Sequence, residues 1–343
     1  MIYIENNSAS AAFHFSIEEF LMQNPKAEPV IMIWQTDKCV MVGTNQVVFA
    51  EIDMEYAQRE GMQIVRRSSG GGTIFTDAGT LLYTMIQPYR EYGNGEVRTI
   101  ADETIVGAVV RALNKMGVPA VVEGRNDILD KPYKIGGKKI SGIAQYMRKG
   151  MLCTHGSLLY DTDLTQLARV LRVEDEKIRS KAIRSVRSRV TNIKDYIGVP
   201  TYEFRENLKQ LLISEFAARE YTLTESELYE INKIRSEKYE NNAWTFGSSP
   251  AFAVSYGKRF PEGRVDIYLN IAKGGIVSCN IRGDFLGVSS ISELEEKLIG
   301  VPFDCNSIAT VVDNVALELY IGGITKEQFL SCILGILGRE ASE

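Results

Sequence analysis

The sequence predicts an α+β chain of two domains, and three observations carry that prediction. Short β-rich runs follow one another across turns, helical stretches stand among them, and the pattern changes near Asn241. At 343 residues the chain exceeds one ordinary domain, which divides it into a large domain over 1–243 and a small α+β domain over 244–343.

Phe13, Ile17, Phe20 and Leu21 share one face of a helix over 10–21. The runs 30–34 and 38–42 flank Gln35-Thr36-Asp37 and suggest a hairpin. A short helix over 52–60 closes on Gly61, and a strand over 63–67 enters Ser68-Ser69-Gly70-Gly71-Gly72. Residues 73–75 and 80–86 are extended again around the turn Asp77-Ala78-Gly79, so the glycine loop joins strand to strand. The helix over 99–116 has Thr99 as cap, Asp102 and Glu103 in its first turn, and Gly117 and Pro119 at its end. Strands at 120–122, 138–146 and 151–160 precede a helix that begins at Asp161-Thr162-Asp163. Helices follow over 203–216 and 224–239, the second with Thr224 and Glu227 at capping-box spacing. The small domain reads as a meander, 264–272 and 276–282 about Lys273-Gly274-Gly275, then helices over 292–298 and 325–337.

Composition narrows the function. A net charge of -5 with mixed signs argues against nucleic-acid binding, which needs a basic excess. The start of the chain lacks a basic segment leading into an apolar one, and no apolar run is long enough to span a bilayer, so neither secretion nor a membrane is expected. The five cysteines are scattered and His14 and His155 are the only histidines, which argues against zinc and fits reduced thiols in the cytoplasm.

The glycine triplet alone signals a tight turn. Arg66 and Arg67 before it change that reading, because a strand end is a costly place for unpaired charge and guanidinium matches phosphate and carboxylate. Successive glycine N–H groups can also form an anion-binding concavity. The triplet lacks the Gly-Lys-Ser/Thr ending of a Walker loop, and it leads into extended residues where a dinucleotide fingerprint needs a helix. On the strand that begins at Lys138, Lys139 is expected to share a face with residues 141 and 143, opposite Ile140. The run from Ser185 to Asn192 reads as a basic surface loop and Gly124-Arg125-Asn126-Asp127 as an Asx-type turn. His155, alone on an apolar strand, suits packing as well as catalysis.

Together these motifs resemble bacterial lipoate-protein ligases. The matching residues are Arg66-Arg67-Ser68-Ser69-Gly70-Gly71-Gly72-Thr73-Ile74-Phe75, Gly124-Arg125-Asn126-Asp127, Lys139-Ile140-Ser141-Gly142, His155-Gly156-Ser157-Leu158-Leu159 and Ser185-Val186-Arg187-Ser188-Arg189-Val190-Thr191-Asn192. The tail resembles the accessory domain of the longer ligases in length, placement and its Trp244-Phe246-Gly247 entry. The resemblance implies a mixed, largely antiparallel sheet flanked by helices, as in biotin ligases and class II synthetases. It implies that lipoate and MgATP give lipoyl-AMP, and that the acyl group passes to a lysine of E2 subunits or the glycine-cleavage H protein. It further implies that Arg67, Gly72, Thr73, Ile74, Phe75, Lys139, Arg189 and Asn192 hold ATP or the adenylate. Lipoate would meet Lys139, Gly71, Gly72 and His155, with Asp127 and Asn126 as candidates for Mg2+, a hard cation that takes oxygen ligands. A monomer is expected.

Two rivals have distinct signatures. Octanoyl- or lipoyl-transferases of this fold class use a cysteine where this chain has Asn126-Asp127, and Cys153 is the only thiol near the motifs. A non-catalytic lipoate-binding relative would not need both Arg67 and Lys139 aimed at one phosphate.

Overall fold

The computed structural model describes residues 1–46, 48–89, 105–123, 126–131, 137–171, 189–246, 254–272, 275–303 and 305–340. Thr99, Asp102, Glu103, Gly124, Arg125, residues 185–188, Gly247 and the Lys273-Gly274 pair lie outside them.

The strands of the first 221 residues are β1 (Ile2–Ile4), β2 (Val30–Trp34), β3 (Cys39–Val42), β4 (Gln63–Arg66), β5 (Ile74–Thr76), β6 (Thr80–Pro88), β7 (Ala120–Glu123), β8 (Asp127–Asp130), β9 (Lys138–Arg148), β10 (Met151–Leu159) and β11 (Arg219–Tyr221). Eight form one sheet in the order β11-β1-β2-β6-β10-β9-β8-β7. Only the pairings of β1 with β11 and with β2 are parallel, so the sheet is mixed and largely antiparallel, as expected. The sheet is apolar on both faces because a separate core lies on each. One packs the helix Ala11–Gln23 and residues of Glu225–Ile234; the other packs Gly107–Lys115 and Thr201–Phe216.

The expected hairpin over 30–42 does not form. β2 pairs with β1 and β6, whereas β3 joins β4 and β5 in a separate three-stranded sheet. Both strands are buried throughout, so each needs partners on both edges, which one hairpin cannot supply. Three-residue β1 and β11 and four-residue β8 were too short to stand out as patterns. The helix read over 224–239 has its capping box, but after Ile234 it continues as a π-helical turn, Arg235–Tyr239. That turn brings Tyr239 to the glycine-loop strand, with its hydroxyl 2.8 Å from Ser68 Oγ.

The small domain is a meander of β12 (Val254–Phe260), β13 (Gly263–Ala272) and β14 (Gly275–Gly283), closed by the helices Ile291–Leu298, Cys305–Asp313 and Lys326–Glu340 around its own core. β12 was not read from the sequence. Among the described residues, no helix is long and apolar enough to cross a membrane.

Helix Ala11–Gln23 starts on Ser10, whose hydroxyl accepts from Phe13 N–H, and is buried on nearly every side. His14 stacks on Trp34 at 4.5 Å and places Nε2 2.7 Å from Ser8 O. Burial pulls its pKa down from 6.5 to about 4. The folded value lies below the unfolded one, so the unfolded chain binds the extra proton between them and stability falls as pH drops through that window. We expect His14 to account for up to roughly 3 kcal/mol of loss between those limits at about 1.4 kcal/mol per unit. Denaturant titrations across this range should show a flatter decline for His14→Gln than for the wild-type chain.

Candidate active site

β4 runs parallel to β3 on one side and β5 antiparallel to it on the other, so the glycine loop arches over the end of β3. Gly71 sits at φ 92°, a left-handed conformation that glycine adopts without strain. Its N–H donates to Phe285 O at 3.0 Å, which seats the small domain directly on the loop.

The arginine pair is buried as expected, but carbonyls satisfy both guanidinium groups. Arg66 donates through Nε to Trp244 O and Thr245 O, and through Nη1 to Gly43 O, Thr44 O and Gln46 O, all between 2.7 and 3.0 Å. Arg67 donates to Ser69 Oγ at 3.1 Å, Met41 O at 3.0 Å, Gly70 O at 2.8 Å and Gly72 O at 2.7 Å. Burial pulls both down to about 10, still charged at neutral pH. Backbone carbonyls thus meet the buried charge for which an anion was expected, and Arg67 holds the loop in shape.

Lys139 enters on β9 with Nζ 2.8 Å from Asp127 Oδ1 on β8. That oxygen is buried without a well-directed hydrogen bond, so the contact is one of charge. The expected face of 139, 141 and 143 is not kept. A register shift opposite Ile128/Leu129 adds a residue to β9, and Ile140 and Ile143 enter the same core. Gly142 then lies beside Lys139: a Cβ there would come within 3.2 Å of Nζ.

These residues border a pocket of about 140 Å³. Its lining includes the apolar Phe15, Trp34, Met41 and Leu82 together with Arg67, Lys139, Asn126, Gly71, Gly72 and Thr73. Ile74 and Leu286 of the small domain also line it. His155 forms part of the wall, its Nε2 2.7 Å from Ser69 Oγ and its Nδ1 3.1 Å from both carboxylate oxygens of Glu18.

Three expected site residues stand elsewhere. Phe75 packs in the core of the small sheet, opposite Val40. Asn192 uses its side chain on the backbone of Thr162, at 3.2 Å to N and 3.0 Å to O, and does not line the pocket. Arg189 is exposed and also outside the lining. Their segment still reaches the site, since Thr191 N donates to Lys139 O at 3.1 Å. Glu18, Ser69 and Trp34 were missed. Two adjacent glutamates between Ile17 and Phe20 in a helix rich in apolar residues were the available signal for Glu18.

Cys153 is fully buried, and burial together with Glu18 pushes its thiol well above the ordinary range. A thiolate nucleophile is disfavoured there.

The Lipoyl protein ligase A/B catalytic domain family matches residues 10–217, and the Bacterial lipoate protein ligase C-terminus family matches residues 249–333. The chain is 35% identical to the lipoate-protein ligase LplJ of Bacillus subtilis over 97% of this chain and 100% of that one. It is 31% identical to lipoate–protein ligase 1 of Staphylococcus aureus over 96% and 99%. An archaeal bi-partite lipoate protein ligase from Thermoplasma acidophilum superposes with TM-score 0.66 at 29% identity, over 74% of this chain and 98% of that one. A lipoate-protein ligase A bound with ATP superposes with TM-score 0.61 at 26% identity, over 72% and 98%. With its mixed sheet, its glycine loop and a family match over most of the large domain, the chain belongs to the lipoate-protein ligase family.

Proposed function

We propose that the chain joins lipoate to ATP as lipoyl-AMP and then transfers the lipoyl group to a lysine of E2 subunits or the glycine-cleavage H protein. The observation that carries this reading is the pocket, whose wall combines the apolar Phe15, Trp34, Met41 and Leu82 with the cations Arg67 and Lys139 and the glycine loop. A lipoate carboxylate is a poor acyl donor because an amine would have to expel oxide. Its oxygen therefore attacks the α-phosphate, and the bond to pyrophosphate breaks. The carrier amine then attacks the acyl carbon and AMP leaves.

Lys139 supplies a cation between the carboxylate and the α-phosphate, where negative charge builds. Asp127 holds that ammonium in place before substrate arrives. Arg67 serves ATP through the loop it shapes, presenting Gly72, Thr73 and Ile74. Residues 189–193 brace the strand end at Lys139, and in this reading Arg189 flanks the adenylate.

Asp127 and the Asn126 side-chain oxygen suit Mg2+, which takes one or two protein oxygens and phosphate oxygens. Asn126 Nδ2 already donates to Ile143 O at 3.3 Å, which orients the amide and leaves its oxygen for a cation. Bound there, the ion would offset phosphate charge. We place the domain boundary at 243/244 and the protein in the cytoplasm as a monomer.

The test is lipoate-dependent exchange of labelled pyrophosphate into ATP by the full chain. Exchange is expected with lipoate, absent with lipoamide, which has no carboxylate, and lost when EDTA removes the divalent ion. Octanoyl movement between carrier domains without exchange would instead establish a transferase.

A further inference from the structure

Behind the pocket lies a hydrogen-bond relay whose direction is fixed by its two ends. Arginine can only donate and an ionised carboxylate can only accept. Arg67 Nε–H donates to Ser69 Oγ at 3.1 Å. Ser69 is fully buried, so its own proton must go to His155 Nε2, 2.7 Å away. That nitrogen then carries no proton, and Nδ1–H donates to Glu18 at 3.1 Å. A second branch reaches the same carboxylate: Trp34 Nε1–H donates to Thr84 Oγ1 at 3.0 Å, and the Thr84 hydroxyl donates to Glu18 Oε1 at 2.7 Å. Glu18 and Thr84 are themselves almost fully buried, shielded from competing water.

We propose that Glu18 is a positioning residue for adenylate formation, fixing the His155 tautomer and, through Ser69, the Arg67 guanidinium that shapes the glycine loop. This rests on the ligase reading. The consequence is specific. Arg67 donates to both Gly70 O and Gly72 O through Nη2, so rotating it away from Ser69 moves the loop beside Lys139. Protonation of His155 at Nε2 would reverse the chain. Two cationic donors would then point at Ser69 Oγ, and the buried serine proton would have no acceptor. Glu18 thus holds, from behind, three residues that line the pocket: Trp34, His155 and Arg67.

The chain has two histidines, which makes the tautomer measurable. In the full-length wild-type chain labelled with ¹⁵N-histidine, NMR should show one ring neutral with its proton on Nδ1, assigned to His155 by its loss in His155→Gln. A proton on Nε2 would overturn the relay without any Glu18 variant having to fold.

Glu18→Gln and Ser69→Ala should each slow lipoate-dependent pyrophosphate exchange roughly tenfold, the scale of one hydrogen bond to a charged group. The double variant should be no slower than about the worse single, because both break one chain. Multiplied losses of roughly a hundredfold would mean independent roles and defeat the proposal. Wild-type protein without exchange would count against the ligase reading itself, whereas the tautomer result stands apart from it.

Discussion

Lys139→Ala is expected to lower lipoate-dependent pyrophosphate exchange by roughly 10²–10³, the usual cost of deleting one preorganised donor at developing charge. The side chain is half-buried and its ionic partner is Asp127, so the fold should survive. Circular dichroism and the denaturation midpoint should therefore stay near wild type while exchange collapses. Lys139→Arg should recover little. Gly142 leaves a narrow space beside the ammonium, and a planar guanidinium is a different shape from a compact point charge. Near-normal exchange in Lys139→Ala would remove this residue from the chemistry.

Arg66→Lys should produce the largest stability loss among charge-conserving changes near the site. Arg66 donates to five carbonyls, two of them in the segment Asn242–Phe246 that leads to the small domain. Trp244 Nε1 returns a bond to Arg66 O at 2.9 Å, so the contact is reciprocal. Lysine keeps the charge but has no planar fork with which to reach both groups of carbonyls. Several buried acceptors would lose their partners, costing roughly 3 kcal/mol. Urea denaturation should report it as a lower midpoint. A change below about 0.5 kcal/mol, the ordinary range for surface substitutions, would mean that Arg66 is not the clasp between loop and small domain.

The central strands β6, β9 and β10 and the helices with clear caps were legible because local chemistry and periodicity marked them. Thr224 and Gly61 announced their helix ends by side-chain oxygen or by tolerance of positive φ, whereas the cap at Ser10 appeared only in the structure. The three-residue strands β1 and β11 were not legible, since so short a run carries no period. Nor was the assignment of β2 and β3 to different sheets, because two buried apolar runs look alike whichever neighbour they pair with. In the site, Arg67, Lys139 and the glycine triplet were recognisable as residue types rare in such settings. Glu18 and Ser69 were not, since their role lies in contacts spanning 137 and 86 residues to His155.

The sequence by itself determined that this is an α+β chain with a strand-to-strand glycine loop behind two arginines and a lysine further along. It also carried the family's motifs in their order. Only the tertiary structure decided what the charges do. It gave both arginines to backbone carbonyls, turned Lys139 towards the pocket past a one-residue register shift, and took Phe75 and Asn192 out of the lining. The reason is physical: a residue's type limits which bonds it can make, but a buried donor takes whichever acceptor the packing of distant segments brings within reach.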